Sequence, residues 1–142
     1  MNQKMQPNST ESAVNNSHIT SELTVAVVDD DPRVRQLLKE EIQDEGHCVL
    51  IFESAESFLD TAPMEEIDLV LLDLMMPGMD GLECLQLLQQ RSAHHSLPRI
   101  VVVSALSDPS KQRQVLDAGA ESYVIKPDLF ERLPTLLSRH SS

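Results

Sequence analysis

The run Asp68-Leu69-Val70-Leu71-Leu72-Asp73 constrains the fold most, because four aliphatic residues stand in succession between two carboxylates. A strand with one wet face alternates apolar and polar, so an unbroken run fits a strand buried on both faces, as in a parallel sheet. Asp73 then ends that strand at its carboxyl edge, where open α/β sheets bind ligands. Pro77-Gly78 and Asp80-Gly81 turn the chain, and Asp80 with Glu83 forms a capping box that opens a helix. Taken alone, a structural capping role for Asp73 stays open. The rest of the chain decides.

Leu23 to Val28 reads as a first apolar strand, followed directly by Asp29, Asp30 and Asp31. Asp31 before Pro32 is an N-cap signal, and Val34, Leu37, Leu38 and Ile42 share one helical face up to the stop at Gly46. Capping leaves Asp29 and Asp30 unexplained, and two acids at a strand end invite a hard cation or a catalytic role. Cys48 to Phe52 is the second strand, and Ser54 begins a short helix with Ala55, Phe58 and Leu59 inward. After the capping box comes a helix with Leu82, Leu85 and Leu88 at its core positions, fading into a polar loop where His94 and His95 read as solvated.

Ile100 to Val103 is a fourth strand ending at Ser104, and Ser107 or Asp108 with Pro109 opens a fourth helix. Its apolar content is only Val115, Leu116 and Ala118, which predicts weak anchoring. Tyr123 to Ile125 is the last strand, with Lys126-Pro127 at its end. A final helix starts at a second capping box, Asp128 with Glu131, and Pro134 predicts that it kinks or starts late. Five strand-helix repeats with connections too long for hairpins argue a five-stranded parallel sheet, order 2-1-3-4-5, with helices on both faces.

Composition bounds the function. The 142 residues fit a single core, and no apolar run approaches the roughly 20 residues that span a bilayer. A formal net charge of -12 repels phosphate backbones and anionic lipids, which excludes direct nucleic-acid and membrane binding and leaves proteins or cations as partners. Cys48 and Cys84 lack metal-ligand spacing and read as buried free thiols in a reducing, cytoplasmic compartment. Residues 1–22, rich in Asn, Ser, Gln and Thr, read as a disordered polar tail.

In the predicted strand order, Asp29, Asp30, Asp73, Ser104 and Lys126 converge on one shallow pocket. Carboxylates this close raise one another's pKa unless a cation neutralises them, and Mg²⁺ suits an all-oxygen donor set. The economical chemistry is phosphoryl transfer onto Asp73, with Lys126 gripping a phosphoryl oxygen and Ser104 hydrogen-bonding the new group. A glycosidase wants aromatic platforms, yet the chain has no Trp and 1 Tyr. A Ser-His-acid hydrolase needs a histidine at a strand end, and none occupies one.

From Leu23 to His140 the chain resembles the flavodoxin-like receiver domain of two-component response regulators. The resemblance rests on Val27-Val28-Asp29-Asp30, on Leu72-Asp73 through Asp80-Gly81, on Ser104-Ala105, on Gly119-Ala120 with Tyr123, and on Lys126-Pro127. It implies Asp73 as phosphoacceptor, Asp30 and Asp73 as side-chain Mg²⁺ ligands, Asp29 supporting through water, and the Met75 carbonyl as a further ligand. Ser104 and Tyr123 become a switch pair, Lys126 the phosphate contact, and the Lys126-Pro127 bond cis. A histidine kinase or histidine phosphotransfer protein would be the donor, a downstream protein of unknown identity the target. With two residues after His140, no effector domain is expected within the chain. A phosphorylation-dependent dimer belongs to the same expectations, and Pro134 departs from the regular final helix it would use. Two rivals stay open: a scaffold that never accepts phosphate, and a Mg²⁺-dependent phosphatase with an aspartyl nucleophile. The first is opposed by the intact acids, Ser104 and Lys126. The second would want an acid where this chain has Met75.

Overall fold

The computed structural model describes residues 22–91 and 96–138. Strands and helices alternate: β1 (Thr24–Val28), α1 (Pro32–Asp44), β2 (Cys48–Phe52), α2 (Ala55–Thr61), β3 (Leu69–Asp73), α3 (Gly81–Arg91), β4 (Arg99–Ser104), α4 (Pro109–Asp117), β5 (Ser122–Ile125) and α5 (Lys126–Ser138). All strand pairs are parallel, in the order β2-β1-β3-β4-β5. A 3₁₀ turn at Met64–Glu66, which periodicity did not indicate, leads into β3. The tail expected over residues 1–22 lies outside the described residues up to position 21, and so does the His94-His95 pair.

Two apolar layers sandwich the sheet, and strand alternation sorts residues between them. Val28, Val70, Leu72 and Val102 face Phe58 of α2, Leu85 and Leu88 of α3 and Val115 of α4. Val27, Leu69, Leu71 and Val103 face Leu38 and Ile42 of α1 and the leucines of α5. Burial on both faces is why β1, β3 and β4 are almost continuously apolar. Asp29 and Asp73 continue the parity of Val27 and Leu71, so their side chains leave the sheet on the α1/α5 side.

The starts of α1, α2, α3 and α4 follow the predicted caps, whereas α5 opens at Lys126 and not at the expected box of Asp128 and Glu131. The Asp31 side chain accepts from Arg33 N–H, Ser54 from Ser57 N–H, and Asp108, rather than Ser107, from Ser110 and Lys111 N–H. The Arg33 N–H holds the Asp31 carboxyl below its ordinary pKa.

Four expectations are corrected. Cys48 is exposed and bonds Glu22, because β2 is an edge strand; Cys84 alone is buried. Leu37 is 54% exposed, since the inward stripe of α1 runs through Val34, Leu38 and Ile42 and leaves Leu37 on its flank. The Lys126-Pro127 bond is trans. Helix α5 opens directly at Lys126, so Pro127 sits in the first turn, where a missing N–H leaves nothing unpaired. Helix α5 also starts early and runs through Pro134 to Ser138. An internal proline costs about 3 kcal/mol, whereas each fully buried leucine contributes roughly 1.5–3 kcal/mol. Leu129, Leu133, Leu136 and Leu137 are all buried, so packing outweighs the lost hydrogen bond.

Candidate functional site

Register brings the strand ends together. Val28 pairs with Leu72, Asp73 with Val103, and Ser104 with Ile125, so Asp29, Asp73, Ser104 and Lys126 follow one another along one edge of the sheet. Carboxylate oxygens of Asp29, Asp30 and Asp73 lie within 4.8 Å of one another. Asp29 and Asp73 are buried, while Asp30 is exposed at the mouth. Lys126 Nζ stands 3.1 Å from Asp29 Oδ2 and 3.4 Å from Asp73 Oδ2. One lysine therefore serves two buried carboxylates.

That shortage of positive charge has an electrostatic signature. Burial, reinforced by the Asp29 charge, pushes the Asp73 carboxyl up to about 7, against the opposing pull of Lys126 and the Met75 N–H. Burial by itself would lower the Lys126 ammonium, but its hydrogen bond to Asp29 and the charges of Asp73 and Asp29 prevail and raise it. A second cation would relieve both acids. The donors are hard carboxylate oxygens, one of them open to solvent, and such a set fits Mg²⁺, which retains several waters.

Backbone contacts hold the acids. Asp31 N–H donates to Asp29 Oδ1 at 2.9 Å, and Met75 N–H to Asp73 Oδ1 at 3.3 Å. Arg35 Nη1, one helical turn beyond the N-cap, donates to the Asp29 carbonyl at 2.6 Å. Glu56 of α2 accepts from Met79 N–H at 3.0 Å in the loop after Asp73. Neither residue is among the candidates that the sequence motifs single out. Arg35's spacing from Asp31 could have hinted at its reach, but nothing local marks Glu56.

Ser104 is buried at the end of β4, and its Oγ accepts from Leu106 N–H at 3.3 Å. Tyr123 Oη donates to the Leu106 carbonyl at 2.6 Å. The two residues of the expected switch pair are thus joined through Leu106, not directly. Met75 and Leu106 are 60% and 62% exposed. They line, with Ser104 and Tyr123, a groove of about 490 Å³ beside the acids.

The response regulator receiver domain family matches residues 25–138. The chain belongs to this family. The response regulator MprA of Mycolicibacterium vanbaalenii is 39% identical over 120 residues, covering 81% of this chain and 50% of MprA. The KDP operon transcriptional regulatory protein KdpE of Escherichia coli is 36% identical over 122 residues, 83% of this chain and 52% of KdpE. A CheY-like response regulator receiver domain protein from Methanospirillum hungatei shares the fold with a TM-score of 0.71 and 27% identity, covering 84% of this chain and 97% of that one. The receiver spans about half the length of the curated relatives it matches. Among its described residues no helix is long and apolar enough to cross a membrane.

Proposed function

We propose that this receiver is a switch phosphorylated on Asp73 by a histidine kinase or a histidine phosphotransfer protein in the cytoplasm. The observation that carries the reading is the convergence of three carboxylates within 4.8 Å, two of them shared by one lysine. An Asp73 oxygen attacks phosphorus in line; the new P–O bond forms as the P–N bond to the donor histidine breaks, and its electron pair leaves with the imidazole. Attack requires the ionised carboxylate. Mg²⁺ held by Asp30, Asp73 and the Met75 carbonyl, with Asp29 supporting through water, would supply the positive charge that keeps Asp73 ionised and neutralises phosphoryl oxygens.

Lys126 grips a phosphoryl oxygen as a compact point cation. Ser104 turns its hydroxyl toward the phosphoryl group, which disturbs its bond from Leu106 N–H and, through the Leu106 carbonyl, Tyr123. The phosphorylated state thereby shifts a pre-existing equilibrium and changes contacts with a downstream protein.

The test is incubation with Mg²⁺ and acetyl phosphate followed by intact mass. A single phosphoryl adduct on the wild-type chain, absent in Asp73→Asn, is expected. No adduct would leave a phosphorylation-independent scaffold, and turnover of phosphomonoesters would indicate a phosphatase.

A further inference from the structure

The loop between β3 and α3 carries the Met75 carbonyl, so whatever fixes this loop bears on the site. Its ends are pinned. Met75 N–H reaches Asp73 Oδ1, Gly81 N–H donates to the Leu74 carbonyl at 2.8 Å, and Asp80 and Glu83 exchange the two bonds of the capping box. Between those ends, among the described residues, one hydrogen bond ties residues 76–79 to another element: Met79 N–H to Glu56 Oε2.

The contact is close-fitting. Gly78 has φ +77°, and a Cβ there would lie 2.9 Å from Glu56 Oε2. The carboxylate therefore rests on backbone that a side chain would cover. Helix α2 presents Glu56 rigidly, because Ser54 caps it and Ala55 and Phe58 are buried beneath it. The Met79 N–H also holds the Glu56 carboxyl below its ordinary pKa, so the acceptor is charged at neutral pH.

We propose that Glu56 is a positioning residue for the metal site: through the Met79 N–H it holds the loop after β3 in the conformation that presents the Met75 carbonyl beside Asp73. This rests on the metal reading above. Glu56 touches neither the metal nor phosphorus and acts only through the loop. Groups that orient a metal's ligands from outside commonly control its affinity, and here the oriented ligand is a backbone carbonyl whose loop is packed through Met76 but, among the described residues, makes no other hydrogen bond from residues 76–79 to another element.

The experiment compares the full chain with Glu56→Ala and Glu56→Gln by calorimetric titration with MgCl₂ and by exchange of the Met79 amide in metal-free protein. Glu56→Ala should weaken Mg²⁺ binding about tenfold, at the low end of the effect of such supporting groups, and speed Met79 exchange. Glu56→Gln loses the charge but keeps an acceptor oxygen, so it should retain most of the affinity and protection. Equal losses in both variants would assign the effect to charge and overturn the proposal. Unchanged Met79 exchange in Glu56→Ala overturns it whatever the metal does. Wild-type protein that takes up no Mg²⁺ refutes the metal reading instead, a result visible before any variant is compared.

Discussion

Asp73 holds its proton far more tightly in the fold than in the open chain, where its pKa is near 3.8 against about 7 when folded. Between those values the unfolded chain has lost the proton and the native state keeps it, so stability falls as pH rises through this window and levels off above it. Asn at position 73 does not titrate. In chelator, Asp73→Asn should match wild type near the lower limit and exceed it above the upper one by a few kcal/mol, on the order of 1.4 kcal/mol per pKa unit. Denaturant midpoints across that range test this, and a pH-independent difference would rule it out. Mg²⁺ should narrow the gap, since it stabilises only the form that binds it. Met75 and Leu106 bear on a different step. Neither side chain can orient a hydrolytic water and both can obstruct one, so phospho-Asp73 should be long-lived. Decay in a Met75→Asn, Leu106→Glu double variant should be faster, by up to about a hundredfold. Equal or slower decay would show that these positions do not gate water.

The junction of β3 with α3 depends on Gly81, which looks in sequence like half of a turn. It is buried and is absent from the positive-φ glycines, so conformational freedom is not its use. A Cβ there would stand 2.6 Å from the Asp73 carbonyl oxygen and 2.8 Å from Leu74 Cα. Both are backbone atoms, which cannot rotate away. Gly81→Ala should therefore lose about 1–3 kcal/mol, the usual range for overpacking, and displace the strand end that carries Asp73. Chemical denaturation together with Mg²⁺ titration measures both effects; a variant of wild-type stability and affinity would contradict the steric account.

The two ends of the sheet are built differently. At the amino edge, Arg99 makes two hydrogen bonds to Glu121, at 2.8 and 3.0 Å, and donates to the Leu136 carbonyl at 2.9 Å, tying β4 to the residue that leads into β5 and to α5. At the carboxyl edge, the path from Ser104 through Leu106 to Tyr123 leads to α4, where Val115 is the one buried residue. Motion driven by phosphorylation should follow the weaker anchoring. Hydrogen exchange with and without beryllofluoride should change in the loop after β4 and in α4. Changes confined to α1 and α2 would refute the assignment.

Strand order, the starts of the first four helices and the address of the acids were legible from residue order alone. Apolar runs ending in Asp29, Asp73, Ser104 and Lys126 are local patterns, and parallel topology converts strand ends into neighbours. Which surfaces meet is not a local property. Cys48 is exposed because β2 is, among the described residues, an edge strand, and α5 crosses Pro134 because four leucines find the sheet. Gly81 is required because two backbones touch there, and Glu56 matters because a loop 23 positions away lies against it. Periodicity encodes which side of an element is apolar, since that is set by the repeat of a single helix or strand. Contacts across tens of residues arise only when packed elements bring their polar and backbone atoms within hydrogen-bonding distance, and no spacing in the chain records them.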